Sequence, residues 1–160
     1  MNKEKLGALI LECERQLYST AKTILWNEAD IEDAVQDTVA KAFANIHTLS
    51  KDKYARTWLI RILINCCYDQ LRSSRHMISL EGTAEAQSIP AAASEDYSDL
   101  YQAISELPEE QKLPVILYYI DGFSVRETAR ILEISEGAVQ KRLARARGNL
   151  RQKLMLMEVV

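Results

Sequence analysis

Apolar side chains recur every three or four positions along most of this chain, which is the spacing of one face of an α-helix. In the first half, three long segments show this period, at residues 5–25, 30–46 and 53–74. Glycine and proline are scarce, at five and three residues, whereas strands need turn residues at short intervals. The pattern therefore predicts an all-α fold.

The apolar segments of the second half are shorter and are divided by helix-ending residues. We expect one helix to end at Leu107 and another to restart after Pro108 and break at Gly122. The apolar face expected for this second helix consists of Val115, Ile116, Tyr119 and Ile120.

The next stretch, FSVRETARILEISEGAVQKRLARAR, has the signals of two short helices joined by a tight turn. Ser124 and Glu127 form an S-x-x-E capping box that predicts a helix to about Leu132. Residues 133–135 then form the turn, and Ser135 is placed to cap the helix that follows. This is the spacing of a helix-turn-helix.

Between the two halves, residues 77–97 show little amphipathic period and few large apolar side chains, which is typical of a linker. The chain is therefore predicted to hold two small helical domains, residues 1–76 and 98–160, joined by this flexible acidic linker. Residues 77–110 contain eight acidic and no basic side chains, whereas residues 111–160 contain nine basic and five acidic ones. A net charge of −3 gives the whole chain little sequence-independent affinity for DNA.

The composition excludes several other classes of protein. No apolar run approaches the roughly 18 to 20 residues of a membrane span, and the first helix is charged, so we expect a cytoplasmic protein. Cys13, Cys66 and Cys67 form neither a CxxC motif nor a Cys/His cluster, and we interpret them as buried thiols. We expect no catalytic residue, metal or cofactor.

The second predicted helix places Asp33, Gln36 and Asp37 opposite its apolar face, together with Lys41. From the pattern alone, this carboxylate surface has three interpretations: a solvated face, a partner surface, or a metal site without any histidine.

A mixed stripe follows one side of the third predicted helix. Its members recur at i, i+3, i+7, i+11 and i+14 and are Trp58, Arg61, Asn65, Asp69 and Arg72. An indole can stack on a base, a guanidinium can meet a phosphate, and an amide can hydrogen-bond a base edge, so the stripe suits unpaired nucleic acid. The alternative is that Trp58 packs inside and the arginines are solvated.

The last helix is strongly basic, with six basic residues and one acidic residue between positions 136 and 154. Its apolar side consists of Val139, Leu143, Ala146 and Leu150, and its opposite side carries Lys141 and Arg145, flanked by Gln140 and Arg142. In a helix-turn-helix, this outward side meets base edges in duplex DNA. The alternative is a charged surface helix in a plain bundle.

Three of these motifs together resemble the extracytoplasmic-function, or group IV, type of bacterial sigma-70 factor. DIEDAVQDTVAKAF resembles region 2.2, RTWLIRILINCCYDQLRSSR resembles regions 2.3 and 2.4, and the stretch from LPEEQK to LRQKL resembles region 4. The order and spacing of the motifs cover almost the whole chain. The resemblance implies a helical sigma-2 domain and a helical sigma-4 domain with a linker between them.

The resemblance also implies a role for each surface. Asp33, Gln36 and Asp37 would bind a coiled coil of the polymerase's largest subunit. Asn65 would capture a base extruded from the minus-ten strand, with Trp58, Arg61, Asp69 and Arg72 around it. The minus-thirty-five duplex would be read by Ser135, Gln140, Lys141, Arg142 and Arg145. Many members of the family have proline, threonine and serine at positions 135, 138 and 141, so the promoter sequence is not implied.

The predicted function is that of a promoter-specificity subunit of RNA polymerase, with an anti-sigma factor as a second partner implied by resemblance. A stand-alone helix-turn-helix regulator is the main alternative, although it would need a dimerisation helix or an effector domain. An enzyme built on Asp33 and Asp37 lacks any partner histidine, lysine or glycine loop.

Overall fold

The computed structural model describes residues 1–81 and 98–159, with side chains described for 1–73 and 99–156. All regular secondary structure in these residues is helical, which confirms the predicted fold class. The chain divides into two compact units, one within Met1–Ser88 and one within Ile89–Val160. No helix in the described ranges is long and apolar enough to cross a membrane.

Within residues 1–81, the first unit forms four α-helices and two short 3₁₀ turns. The α-helices are α1 (Lys3–Glu12), α2 (Glu14–Ile24), α3 (Glu28–Ala44) and α4 (Ala55–Glu81), and the turns are Ile46–Thr48 and Asp52–Tyr54. Helix α4 packs against α2 and α3, and its buried residues include Leu59, Ile60 and Leu63.

The single helix predicted for residues 5–25 is wrong, because α1 and α2 are separated at Cys13. Cys13 leaves helical geometry with ψ near 4°, and its N–H donates to the carbonyls of Leu9 and Leu11. Helix α1 contacts both α2 and α3, and Leu6 and Leu17, one on each side of the break, are fully buried. No glycine or proline marks the break, so it follows from this packing.

Helix α3 begins where Asn27 caps it, accepting a hydrogen bond at 2.8 Å from the N–H of Ala29. Five residues of the apolar side that its period predicts are buried, namely Ile31, Ala34, Val35, Thr38 and Ala42, whereas Val39 and Ile46, expected on the same side, are half-buried. Helix α4 continues to Glu81, so the first five residues of the predicted linker, 77–81, are helical. The remainder of the predicted linker, residues 82–97, lies outside the described residues.

The second unit contains α5 (Ser98–Ser105), α6 (Glu109–Val115), α7 (Val125–Leu132) and α8 (Glu136–Val159). Helix α6 continues directly into a π-helical segment, Ile116–Ile120. The core of this unit includes a cluster of buried residues, namely Ile104, Leu107, Val115, Ile116, Ala129, Val139, Leu143 and Ala146.

The apolar face predicted for the helix after Pro108 is wrong at its end. Tyr119 and Ile120 are 48% and 37% exposed, while Leu117 is fully buried. The cause is the π-helical segment, in which the N–H of Asp121 bonds to the carbonyl of Ile116 five residues earlier. One additional residue in the turn rotates the following side chains away from the positions that a 3.6-residue period predicts.

Candidate nucleic-acid and partner interfaces

The mixed stripe on α4 lies on the outer side of the first unit. Arg61, Asn65, Asp69 and Arg72 are exposed and Trp58 is half-buried, whereas Leu59, Leu63 and Cys66 are buried. Trp58 is therefore neither a core residue nor fully solvated. It forms part of a concave surface.

That surface is a cavity of about 300 Å³ between the end of α3, the first 3₁₀ turn and α4. Two of its lining residues, Trp58 and Asn65, belong to the predicted stripe, and Ile62 and Cys66 complete its α4 side. The opposite side is formed by Lys41, Asn45 and Thr48. These three residues were not predicted from the sequence, because they lie 10 to 25 positions along the chain from the α4 residues of the cavity.

The polar groups of the cavity are held in specific directions. The indole N–H of Trp58 donates to Thr48 Oγ1 at 3.3 Å, and the side-chain amide of Asn45 donates to the carbonyl of Lys41 at 2.9 Å. The side-chain amide of Asn65 makes no hydrogen bond to any described residue, so its donor and its acceptor are both available to a ligand.

Asp69 and Arg72, one and two helical turns beyond Asn65, are paired with each other. Asp69 also lies 3.9 Å from the ammonium of Lys41 on α3. The carboxylate of Asp69 is therefore shared by two cations, one of which, Lys41, lines the cavity. From the sequence, Asp69 was predicted to be among the strand-binding residues, but its observed contacts are with these cations.

The three cysteines are buried thiols that form no disulfide with one another, and their burial was predicted from the sequence. Burial, together with the neighbouring thiol of Cys66, raises the pKa of Cys67 to about 12. Such a thiol stays protonated at neutral pH, where only the thiolate is a good nucleophile. Cys66 and Cys67 therefore contribute packing to α4.

The acidic surface of α3 is formed by Asp33, Gln36 and Asp37, which are all exposed. They lie at i, i+3 and i+4 on the side opposite buried Ala34 and Thr38, so their side chains share one face of the helix. None of the three forms a hydrogen bond or ion pair with another described residue. The surface is thus available to a partner.

In the second unit, α7 and α8 form a helix-turn-helix with the predicted caps. The hydroxyl of Ser124 accepts from the N–H of Glu127 and the carboxylate of Glu127 accepts from the N–H of Ser124, each at 3.0 Å. The turn passes through Glu133 in the left-handed conformation, with φ of 58°. Ser135 then caps α8 by accepting from the N–H of Ala138 at 3.1 Å.

The caps place the basic side of α8 outward. Val139 and Leu143 are buried, whereas Gln140, Lys141 and Arg145 are exposed and Arg142 is half-buried. Other cations of α8 are already paired within the unit: Arg147 donates to Tyr119 Oη at 2.9 Å, and Lys153 pairs with Glu106 at 3.0 Å. Lys141 and Arg145 make no such contact within the described ranges, so their charges are available to DNA.

Comparison with known proteins places both units in one family. The model described as Sigma-70 region 2 matches residues 9–77, and the model described as Sigma-70, region 4 matches residues 97–150. The chain is 32% identical over 141 residues to the ECF RNA polymerase sigma factor SigM of Mycobacterium tuberculosis, covering 85% of this chain and 70% of the relative.

Two solved structures share the fold. The sigma factor RpoE from Bartonella quintana, in complex with the anti-sigma factor NepR, is 26% identical, with a TM-score of 0.85 over 95% of this chain and 98% of that chain. CnrH in complex with the cytosolic domain of CnrY is 25% identical, with a TM-score of 0.72 over 97% of this chain and 90% of that chain.

Proposed function

This chain belongs to the sigma-70 family of RNA polymerase sigma factors, in its extracytoplasmic-function group, and we propose that its two units read two different forms of promoter DNA. Its function is to direct the polymerase to specific promoters and initiate transcription, and the family itself is not enzymatic. In our proposal the first unit holds the opened minus-ten strand and the second unit binds the minus-thirty-five duplex.

The observation that carries the minus-ten proposal is the cavity on the first unit. A volume of about 300 Å³ is at the lower end of small-molecule sites and is sufficient for one nucleobase. Trp58 supplies an aromatic wall, and Asn65 supplies a donor and an acceptor without partners among the described residues. Extruding a base from a duplex costs a few kcal/mol, which stacking and hydrogen bonding in such a pocket can offset.

Arg61 and Arg72 lie on the same stripe and are exposed, where they can meet the phosphates of the strand on either side of the extruded base. Asp69 has a different role in this proposal. Because it carries a negative charge and is paired with Arg72 and Lys41, it competes with the strand for these cations and does not itself bind the strand.

For the duplex, we assign base contacts to Gln140, Lys141 and Arg145 on the outward side of α8. Ser135 and Arg142 border this side, the first as the cap of the helix and the second as a half-buried flank. The N-terminal half of a recognition helix is the part that enters the major groove, and these residues occupy it.

We assign the contact with polymerase to the acidic surface of α3, formed by Asp33, Gln36 and Asp37. A compact acidic face without partners among the described residues is complementary to a basic protein surface. The chain is then expected to act in the cytoplasm, where polymerase and promoter are. The anti-sigma factor NepR binds one structural relative named above, RpoE, and the cytosolic domain of CnrY binds the other, CnrH. We propose that an anti-sigma protein also covers this chain.

The two DNA surfaces can be separated experimentally by variants that affect only one form of DNA. On a duplex promoter, Asn65→Ala should slow strand opening, whereas Lys141→Ala and Arg145→Ala should weaken recruitment by about 1 to 3 kcal/mol each if each makes a bidentate base contact. A promoter with a mispaired minus-ten region removes the opening step. Run-off transcription on it should recover in part with Asn65→Ala but not with the two α8 variants.

Arg130→Ala provides a matched control, because Arg130 is an exposed arginine on α7 outside the assigned surfaces. It should retain more transcription than Arg145→Ala on the same promoter. If Asn65→Ala leaves transcription from duplex promoter unchanged, the cavity does not bind the minus-ten strand and the proposed mechanism of the first unit is wrong.

A further inference from the structure

The indole ring of Trp58 is the largest wall of the cavity, and one hydrogen bond holds its edge. Its Nε1–H donates to Thr48 Oγ1 at 3.3 Å across the turn between α3 and α4. Since this N–H is the only polar group of the indole, its direction is fixed by where Thr48 lies. The ring face remains available for stacking, whereas the N–H is not available to read a base.

The hydroxyl of Thr48 is itself oriented by the end of α3. It donates to the carbonyl of Asn45 at 2.7 Å, and the backbone N–H of Thr48 donates to the same carbonyl at 2.9 Å. A hydroxyl has one proton, so a threonine that donates to Asn45 can only accept from Trp58. The result is a fixed chain of hydrogen bonds from Trp58 through Thr48 to Asn45.

Every member of this chain lines the cavity. Asn45 is also the C-cap of α3, where its side-chain amide donates to the carbonyl of Lys41. The orientation of the indole is thereby tied to the end of α3 through residues that are themselves part of the site.

We propose that Thr48 is a positioning residue for the minus-ten strand, which sets the indole of Trp58 at the angle that an extruded base needs for stacking. The inference rests on the proposed function of the cavity. Without the Thr48 acceptor, the indole can rotate about its side-chain bonds. Binding of the strand must then restrict that rotation, and the entropy lost in doing so lowers the affinity.

The test uses holoenzyme assembled from core polymerase and the full chain. The probe is a promoter obtained by selecting random duplexes for run-off transcription, prepared with its minus-ten region mispaired. Thr48→Val keeps the shape of the side chain and removes the acceptor, and it should raise the dissociation constant roughly three- to tenfold, the range of one net hydrogen bond. Thr48→Ser restores the hydroxyl and should recover most of the affinity.

Two comparisons separate positioning from a general structural role. In a Trp58→Phe background, which has no N–H to orient, Thr48→Val should have no further effect. His47→Ala, a neighbouring exposed residue in the same 3₁₀ turn that does not line the cavity, should bind as the unchanged chain does. Circular dichroism and thermal unfolding confirm that each variant is folded.

Asn65→Ala distinguishes failure of this inference from failure of the proposed function. If Asn65→Ala weakens binding but Thr48→Val does not, Thr48 does not position the indole. The same conclusion follows if Thr48→Val weakens binding as much in the Trp58→Phe background as in the unchanged chain. If Asn65→Ala has no effect on the mispaired probe, the cavity is not the strand site and the inference fails with it.

Discussion

Removing the charge of Asp69 should strengthen binding of single-stranded DNA, because this carboxylate competes with the strand for cations. Its oxygens pair with Arg72 and lie 3.9 Å from Lys41 Nζ, which lines the cavity. A phosphate that approaches Lys41 must therefore displace Asp69 or tolerate its negative charge. Asp69→Asn keeps the size of the side chain and removes this competition.

The size of the effect follows from the observed separation. Two unit charges 3.9 Å apart attract each other by about 1 kcal/mol in water. The Debye length of about 8 Å at physiological salt reduces this to roughly 0.6 kcal/mol, within the range measured for exposed ion pairs. Asp69→Asn should thus raise the affinity for single-stranded DNA roughly threefold at 0.15 M salt, with a larger gain at lower salt.

The assay is fluorescence anisotropy of a labelled single strand bound by holoenzyme, repeated over a range of salt concentrations. Glu32→Gln is the matched control, because it removes the same charge from an exposed site on α3 about 13 Å along the helix from Lys41. It should change the affinity less than Asp69→Asn. If Asp69→Asn weakens binding of the strand, Asp69 contributes to that binding, either directly or by orienting its cations, and the competing role assigned to it here is wrong.

Two further predictions concern the partner face and the helix-turn-helix. Asp33→Lys combined with Asp37→Lys should reduce capture of core polymerase in a pull-down without changing the helical circular dichroism signal. If capture is unchanged, the acidic surface of α3 does not bind polymerase. Ser124→Ala removes one of the two reciprocal capping hydrogen bonds of 3.0 Å between Ser124 and Glu127. It should lower the free energy of unfolding of the second unit, measured in urea, by about 1 kcal/mol. The control Ser105→Ala, at the end of α5, should lower this free energy less.

The helices themselves were largely predictable, because each buries one apolar side at a regular period. The buried residues of α3 and the caps of α7 and α8 follow directly from local sequence. The break at Cys13 and the π-helical segment at Ile116–Ile120 were not predictable in this way. No glycine or proline stands at Cys13, and Pro114, inside α6 two residues before the π-helical segment, indicates an irregularity there without specifying a π turn.

Only the α4 side of the cavity was predictable from the sequence. The period of α4 brought Trp58 and Asn65 onto one stripe, but a helical period carries no information on what faces that stripe. Lys41, Asn45 and Thr48 reach the cavity because the chain turns back between α3 and α4. The same turn brings Lys41 to Asp69, 28 positions away, and so changes the interpretation of Asp69.

Helix α3 connects the two surfaces assigned to the first unit. Its exposed acidic residues, Asp33 and Asp37, lie in its first ten residues, and Lys41 and Asn45 at its end line the cavity. A continuous helix of 17 residues spans about 25 Å and has no internal hinge. If the acidic face binds polymerase, the position of the cavity on the enzyme is therefore fixed by that contact. The polymerase then supplies the nonspecific DNA affinity that a chain of net charge −3 lacks, and the cavity needs only to select one base.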